Sequence, residues 1–124
     1  MFKRKILKEF ENWKISGGKK KALVVKGMRQ IGKTSSVLEF ARSNYESVVY
    51  INFKENENAK KVFEGDLNVS RITIDLSALF PNAHFVENKT VIIFDEIQEC
   101  ANARASIKPF MEDGRYDVIC TGSL

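Results

Sequence analysis

Ala22-Leu23-Val24-Val25-Lys26-Gly27-Met28-Arg29-Gln30-Ile31-Gly32-Lys33-Thr34 carries the reading of the whole chain. Its first four residues form a short continuous apolar run, the pattern of a strand covered on both faces, as in a parallel sheet. Gly27 to Thr34 then match GxxxxGK[ST] at every fixed position. With this chain's own residue frequencies, a chance match somewhere along it has a probability of roughly 0.4%, so the motif outweighs coincidence. Residues 34–42 follow with a helical pattern that turns Val37, Leu38 and Ala41 inward.

Strand, glycine-bearing turn and helix in that order suit a polyphosphate. Gly27 and Gly32 allow backbone approaches that a β-carbon would block. Consecutive N–H groups can then converge on phosphate oxygens, aided by the positive end of the following helix. The binding group comprises Gly27, Met28, Arg29, Gln30, Ile31, Gly32, Lys33, Thr34 and Ser35. At Met28–Ile31 the backbone N–H groups matter more than the side chains, although Arg29 and Gln30 could face a neighbouring subunit. Lys33 brings a mobile positive charge to the β- and γ-phosphates, and Thr34 offers a hydroxyl to Mg²⁺, a hard ion that prefers oxygen.

Downstream, Val48-Val49-Tyr50-Ile51-Asn52-Phe53 reads as a second strand, and residues 57–64 as a short helix stopped by Gly65. Residues 69–80 are ambiguous: Val69, Ile72, Leu76, Leu79 and Phe80 suit a helix, while Ile72, Ile74 and Leu76 alternate like a strand. The helix is preferred. Val91-Ile92-Ile93-Phe94 is a third strand, 101–112 a helix perturbed by Pro109, and Val118-Ile119-Cys120 a fourth strand. Upstream, residues 3–14 place Ile6, Leu7, Phe10 and Trp13 on one helical stripe, ended by Ser16-Gly17-Gly18. Strands alternating with helices predict a three-layer α/β fold with a mostly parallel sheet.

The third strand runs directly into Asp95-Glu96. Adjacent residues of a strand face opposite ways, so these carboxylates cannot share a task. Asp95, at the strand's carboxyl end beside the phosphate turn, is expected to hold Mg²⁺, through water or through Thr34. Glu96 is expected to act as general base on the water that attacks the γ-phosphate. At the tip of the fourth strand Thr121 and Ser123 offer hydroxyls that could sense the γ-phosphate or orient that water. Asn52 could hold Glu96 in an inactive orientation. Asn88-Lys89-Thr90-Val91 lacks the carboxylate of a guanine-reading Asn-Lys-x-Asp motif, which favours ATP over GTP.

Composition narrows the class further. The 124 residues are 44% hydrophobic and 29% charged, ordinary values for one folded domain. No apolar run approaches the length of a membrane span, and the start lacks a secretory pattern. Cys100 and Cys120 form no CxxC or Cys/His cluster, so they are read as reduced thiols, and His84 as a loop residue; a cytoplasmic setting is expected. The net charge of +4 divides into +7 over residues 1–26 and −3 over the rest. That basic segment is either a solubilising face or a contact for nucleic acid.

Lys26–Thr34, Tyr50-Ile51-Asn52-Phe53, Ile93-Phe94-Asp95-Glu96-Ile97-Gln98-Glu99-Cys100 and Thr121-Gly122-Ser123-Leu124 together resemble one group of AAA+ ATPases. These are prokaryotic ATPases with an AAA domain followed by a C-terminal domain of unknown function, and the similarity runs from about Trp13 to Leu124. The resemblance implies a P-loop NTPase core of the AAA+ type with strand order 5-1-4-3-2. Residues 1–21 would be a basic helix and turn, and 22–124 the nucleotide-binding core. It also implies a chain truncated after the fourth core strand, with the phosphate-turn strand left as an edge. ATP hydrolysis would then belong to a full-length, homo-oligomeric parent and be weak in this chain alone. Two other readings stand beside it: a non-hydrolysing nucleotide switch, and a nucleic-acid-associated module that uses the basic N-terminus.

Overall fold

The computed structural model describes residues 2–15, 21–26 and 33–122. In chain order the elements are α1 (Phe2–Ile15), β1 (Leu23–Lys26), α2 (Lys33–Asn44), β2 (Ser47–Asn52), α3 (Glu57–Val62) and α4 (Val69–Leu79). After these come β3 (Thr90–Asp95), a 3₁₀ turn (Ile97–Glu99), α5 (Ala101–Ala105), α6 (Ile107–Asp113) and β4 (Asp117–Gly122). The four strands form one parallel sheet in the order β1-β4-β3-β2. This is the expected α/β architecture, with β3 and β4 in the middle and the strand that enters the glycine-bearing motif at the edge of the described sheet.

Alternation along each strand divides the core in two. Val49, Ile51, Ile92, Phe94, Val118 and Cys120 face α3 to α6. Val25, Val91, Ile93 and Ile119 face α1 and α2, where they meet Phe10, Trp13, Val37 and Phe40. Both faces of the sheet are therefore covered, which explains why β3 is buried at every position. On the first face Phe94 stands 5.6 Å from Phe53, 5.6 Å from Phe63 and 5.9 Å from Phe110, ring centre to ring centre. On the second, the Trp13 indole N–H donates to the Lys21 carbonyl at 2.6 Å, tying α1 to the chain entering β1.

The ambiguous stretch is a helix. Asn68 caps it, its Oδ1 accepting the Arg71 N–H at 2.9 Å, and Val69, Ile72, Thr73 and Leu76 line its buried side. Ile74, the residue that made the stretch resemble a strand, is 67% exposed. Two boundaries differ from expectation. The helix after β2 ends at Val62 rather than 64, ahead of Gly65 at φ +86°. The helix expected over 101–112 is two helices that meet at the fully buried Ser106. Pro109 explains the break: it has no N–H for the Ala105 carbonyl, and its ring collides with that carbonyl in a continuous helix.

Candidate functional site

Parallel strands bring their carboxyl ends to one side, and parity then selects which side chains meet there. Asp95 ends β3 on the α2 face, in register with Asn52 of β2. Tyr50 lies two residues earlier on that same face of β2, close enough on the diagonal for a long side chain. Thr121 occupies the same face of β4, following Ile119 by two. Thr34 comes from the first turn of α2.

All three hydroxyls converge on one carboxylate. Thr34 Oγ1 donates to Asp95 Oδ2 at 3.2 Å, Tyr50 Oη donates to the same oxygen, and Thr121 Oγ1 donates to Asp95 Oδ1. Asp95 is only 2% exposed, so without donors the cost of burying its charge would be severe. Burial, followed by the hydrogen bond to Asp95 and its charge, pushes the Tyr50 phenol far above its ordinary value. Tyr50 is the residue that sequence reasoning missed. Its signal was a phenol at a strand's centre, where the hydroxyl needs a partner.

Glu96 follows at φ +56° and ψ +50°, the left-handed region, and turns the chain sharply out of β3. Its N–H donates to Thr121 Oγ1 at 3.3 Å, and its Oε1 accepts from Gln98 Nε2 at 2.8 Å. The Asp95 side chain thus meets hydroxyls while that of Glu96, which lies beyond the end of β3, meets Gln98. Asn52 uses its Oδ1 to accept the N–H groups of Lys54 and Glu55 at 2.9 and 3.2 Å. Among the other site expectations, Ser35 is exposed in α2. Gly27, Met28, Arg29, Gln30, Ile31, Gly32 and Ser123 lie outside the described residues, as does the side chain of Lys33, whose backbone opens α2.

A cavity of about 230 Å³ opens on the α5–α6 side of β1 and β4, lined among others by Val24, Gln98, Arg104 and Cys120.

Residues 19–124 match the family described as "AAA domain". The chain belongs to that family. It is an ATPase-type nucleotide-binding module with an AAA+ P-loop core. The match begins a few residues after Trp13, where sequence resemblance first placed it. Among solved structures, a C. elegans protein described as PCH-2 superimposes with a TM-score of 0.60 at 18% identity, over 99% of this chain and 38% of that one. At that identity the likeness is one of fold, and this AAA chain spans well under half of the longer protein. No curated protein matches the sequence.

Among the described residues no helix is long and apolar enough to cross a membrane. Nor do any three His, Cys, Asp or Glu residues among them gather to hold a metal. The donor set at Asp95 nevertheless fits Mg²⁺. This ion takes one or two carboxylates and completes its shell with water and substrate phosphate, rather than using an all-protein cage. A buried carboxylate with a helix-start hydroxyl 3.2 Å away supplies hard oxygen donors of that kind.

Proposed function

We propose that this AAA domain binds ATP with Mg²⁺ and hydrolyses it. The observation that carries the reading is the buried Asp95 carboxylate, hydrogen-bonded at 3.2 Å to the hydroxyl of Thr34, the last residue of GxxxxGK[ST]. Backbone N–H groups from Gly27 to Ser35 cradle the phosphates, and the Lys33 ammonium neutralises the β- and γ-phosphates. Thr34 and Asp95 hold Mg²⁺, which when bound supplies charge neutralisation across the phosphate oxygens. Glu96 takes the proton of the attacking water, while Thr121 and Ser123 orient that water or the γ-phosphate. Tyr50 steadies the Asp95 carboxylate through its hydroxyl.

Calorimetric titration of ATP, with and without Mg²⁺, tests the reading on wild type and Lys33→Ala. Binding strengthened by Mg²⁺, and weakened at least about tenfold in Lys33→Ala, is expected. Equal affinity in the two proteins would overturn the nucleotide site. A single-turnover assay then separates a hydrolase from a switch: ATP remaining intact over many minutes on the wild type would favour the switch.

A further inference from the structure

We propose that Gln98 is a positioning residue for the Glu96 carboxylate, seated by the absence of a side chain at Gly122. The proposal rests on the reading of Glu96 as general base and adds what aims it. The left-handed backbone at Glu96 sends the chain straight into the 3₁₀ turn, closed by Glu99 N–H to the Glu96 carbonyl and Cys100 N–H to the Ile97 carbonyl, both at 3.0 Å. That tight turn brings the Gln98 side chain back over Glu96, where its Nε2 donates to Oε1 at 2.8 Å.

The other end of the same amide explains the glycine. Gln98 Oε1 lies 2.9 Å from where a β-carbon at Gly122 would stand. Gly122 does not have the positive φ of Gly65 or Gly114, so space rather than backbone conformation calls for glycine here. Gly122 also pairs in register with Lys26, the residue immediately before Gly27 of the phosphate motif. One amide thus spans from the base to the strand end beside the motif. A carboxylate that accepts this hydrogen bond has its rotamer restricted, and with it the direction in which it meets the attacking water. Positioning of this kind separates a productive base from a merely nearby one.

The crowding atom at Gly122 is the far end of a flexible side chain. Gly122→Ala should therefore leave the fold intact but push the Gln98 amide off Glu96. The chain has two glutamines, Gln30 and Gln98, so Gln98→Ala assigns the Gln98 side-chain amide in a ¹⁵N–¹H spectrum by its loss. In nucleotide-free protein that signal is expected to move in both Glu96→Ala and Gly122→Ala. A signal unmoved in both would overturn the contact.

At saturating Mg²⁺ and ATP, Gln98→Ala and Gly122→Ala are each expected to lower kcat about tenfold with ATP affinity unchanged, and the double variant should be no slower than either single one. Unchanged kcat, or losses that multiply, would overturn the positioning role. A wild type that binds ATP without hydrolysing it overturns the role of Glu96 as base, and with it that of Gln98, while the spectrum still decides whether the contact exists. Loss of ATP binding itself would instead count against the nucleotide site.

Discussion

Thr121 Oγ1 donates to Asp95 Oδ1 and, with the same oxygen, accepts the N–H of Glu96 at 3.3 Å. One hydroxyl of β4 thereby ties together the two carboxylate residues that end β3, the proposed metal-holding group and the proposed base. Thr121 itself is 1% exposed, so water cannot replace either bond.

Thr121→Val removes that hydroxyl while nearly preserving shape. It leaves a buried carboxylate oxygen one donor short and the Glu96 N–H without this acceptor. Stability should fall by about 1–3 kcal/mol. Urea unfolding monitored by circular dichroism would show a lower midpoint at unchanged slope; an unshifted midpoint would mean that the bridge contributes nothing.

Glu96→Gln keeps the size of the side chain but removes its ability to accept a proton. Hydrolysis should drop about 10²- to 10⁴-fold while ATP affinity is retained. Turnover equal to wild type would remove Glu96 from the chemistry.

Alkaline pH should destabilise the fold. Burial pushes the Cys120 thiol from 9.0 up to about 12. It also drives the phenols of Tyr45 and Tyr50 well above 10.0, with their hydrogen bonds to Asp117 and Asp95 as the second cause. Each of these groups is neutral when protonated and is held protonated by folding. Its contribution is whole below the unfolded-state value, starts to be lost at about pH 9 for the thiol and pH 10 for the phenols, and continues to fall toward the folded-state values. Urea midpoints measured from pH 8 to 11 should decline, and Tyr45→Phe should flatten the upper part of that decline. A midpoint constant across the range would contradict these shifts.

Phe94 is fully buried against Phe53, Phe63 and Phe110 in the centre of the sheet. Phe94→Ala should cost about 3–5 kcal/mol, since a cavity among three rings from three separate segments of the chain cannot readily collapse. Val24→Ala makes the comparison, because Val24 is 52% exposed and should lose only a small fraction of that. Similar losses in both would show that the aromatic cluster is not the centre of stability.

Much of the architecture could be read in advance because it depends on local pattern. Four apolar runs separated by helical stripes describe a covered parallel sheet, and the helix over α4 followed from its stripe even though Ile74 blurred it. The break at Ser106 was less legible: Pro109 announced a disturbance, but its consequence lies four residues upstream, at the carbonyl its ring meets. Tyr50 signalled only that its hydroxyl needed a partner, because nothing in its neighbourhood names Asp95, which is 45 positions away. Gln98 looked like one residue of a motif, and its task emerged only once the left-handed turn at Glu96 was known.

From the order of its amino acids alone, this chain determined its four strands, most of its helices, the GxxxxGK[ST] motif and the two acidic residues, since periodicity, glycine placement and carboxylate spacing are properties of neighbours along the chain. Tertiary structure alone decided that Thr34, Tyr50 and Thr121 would share the Asp95 carboxylate, and that Gln98 would lie against both Glu96 and Gly122. Those meetings depend on strand order, register and the face each residue takes, which arise when distant segments bury their apolar surfaces together and a stranded charge must find its donors.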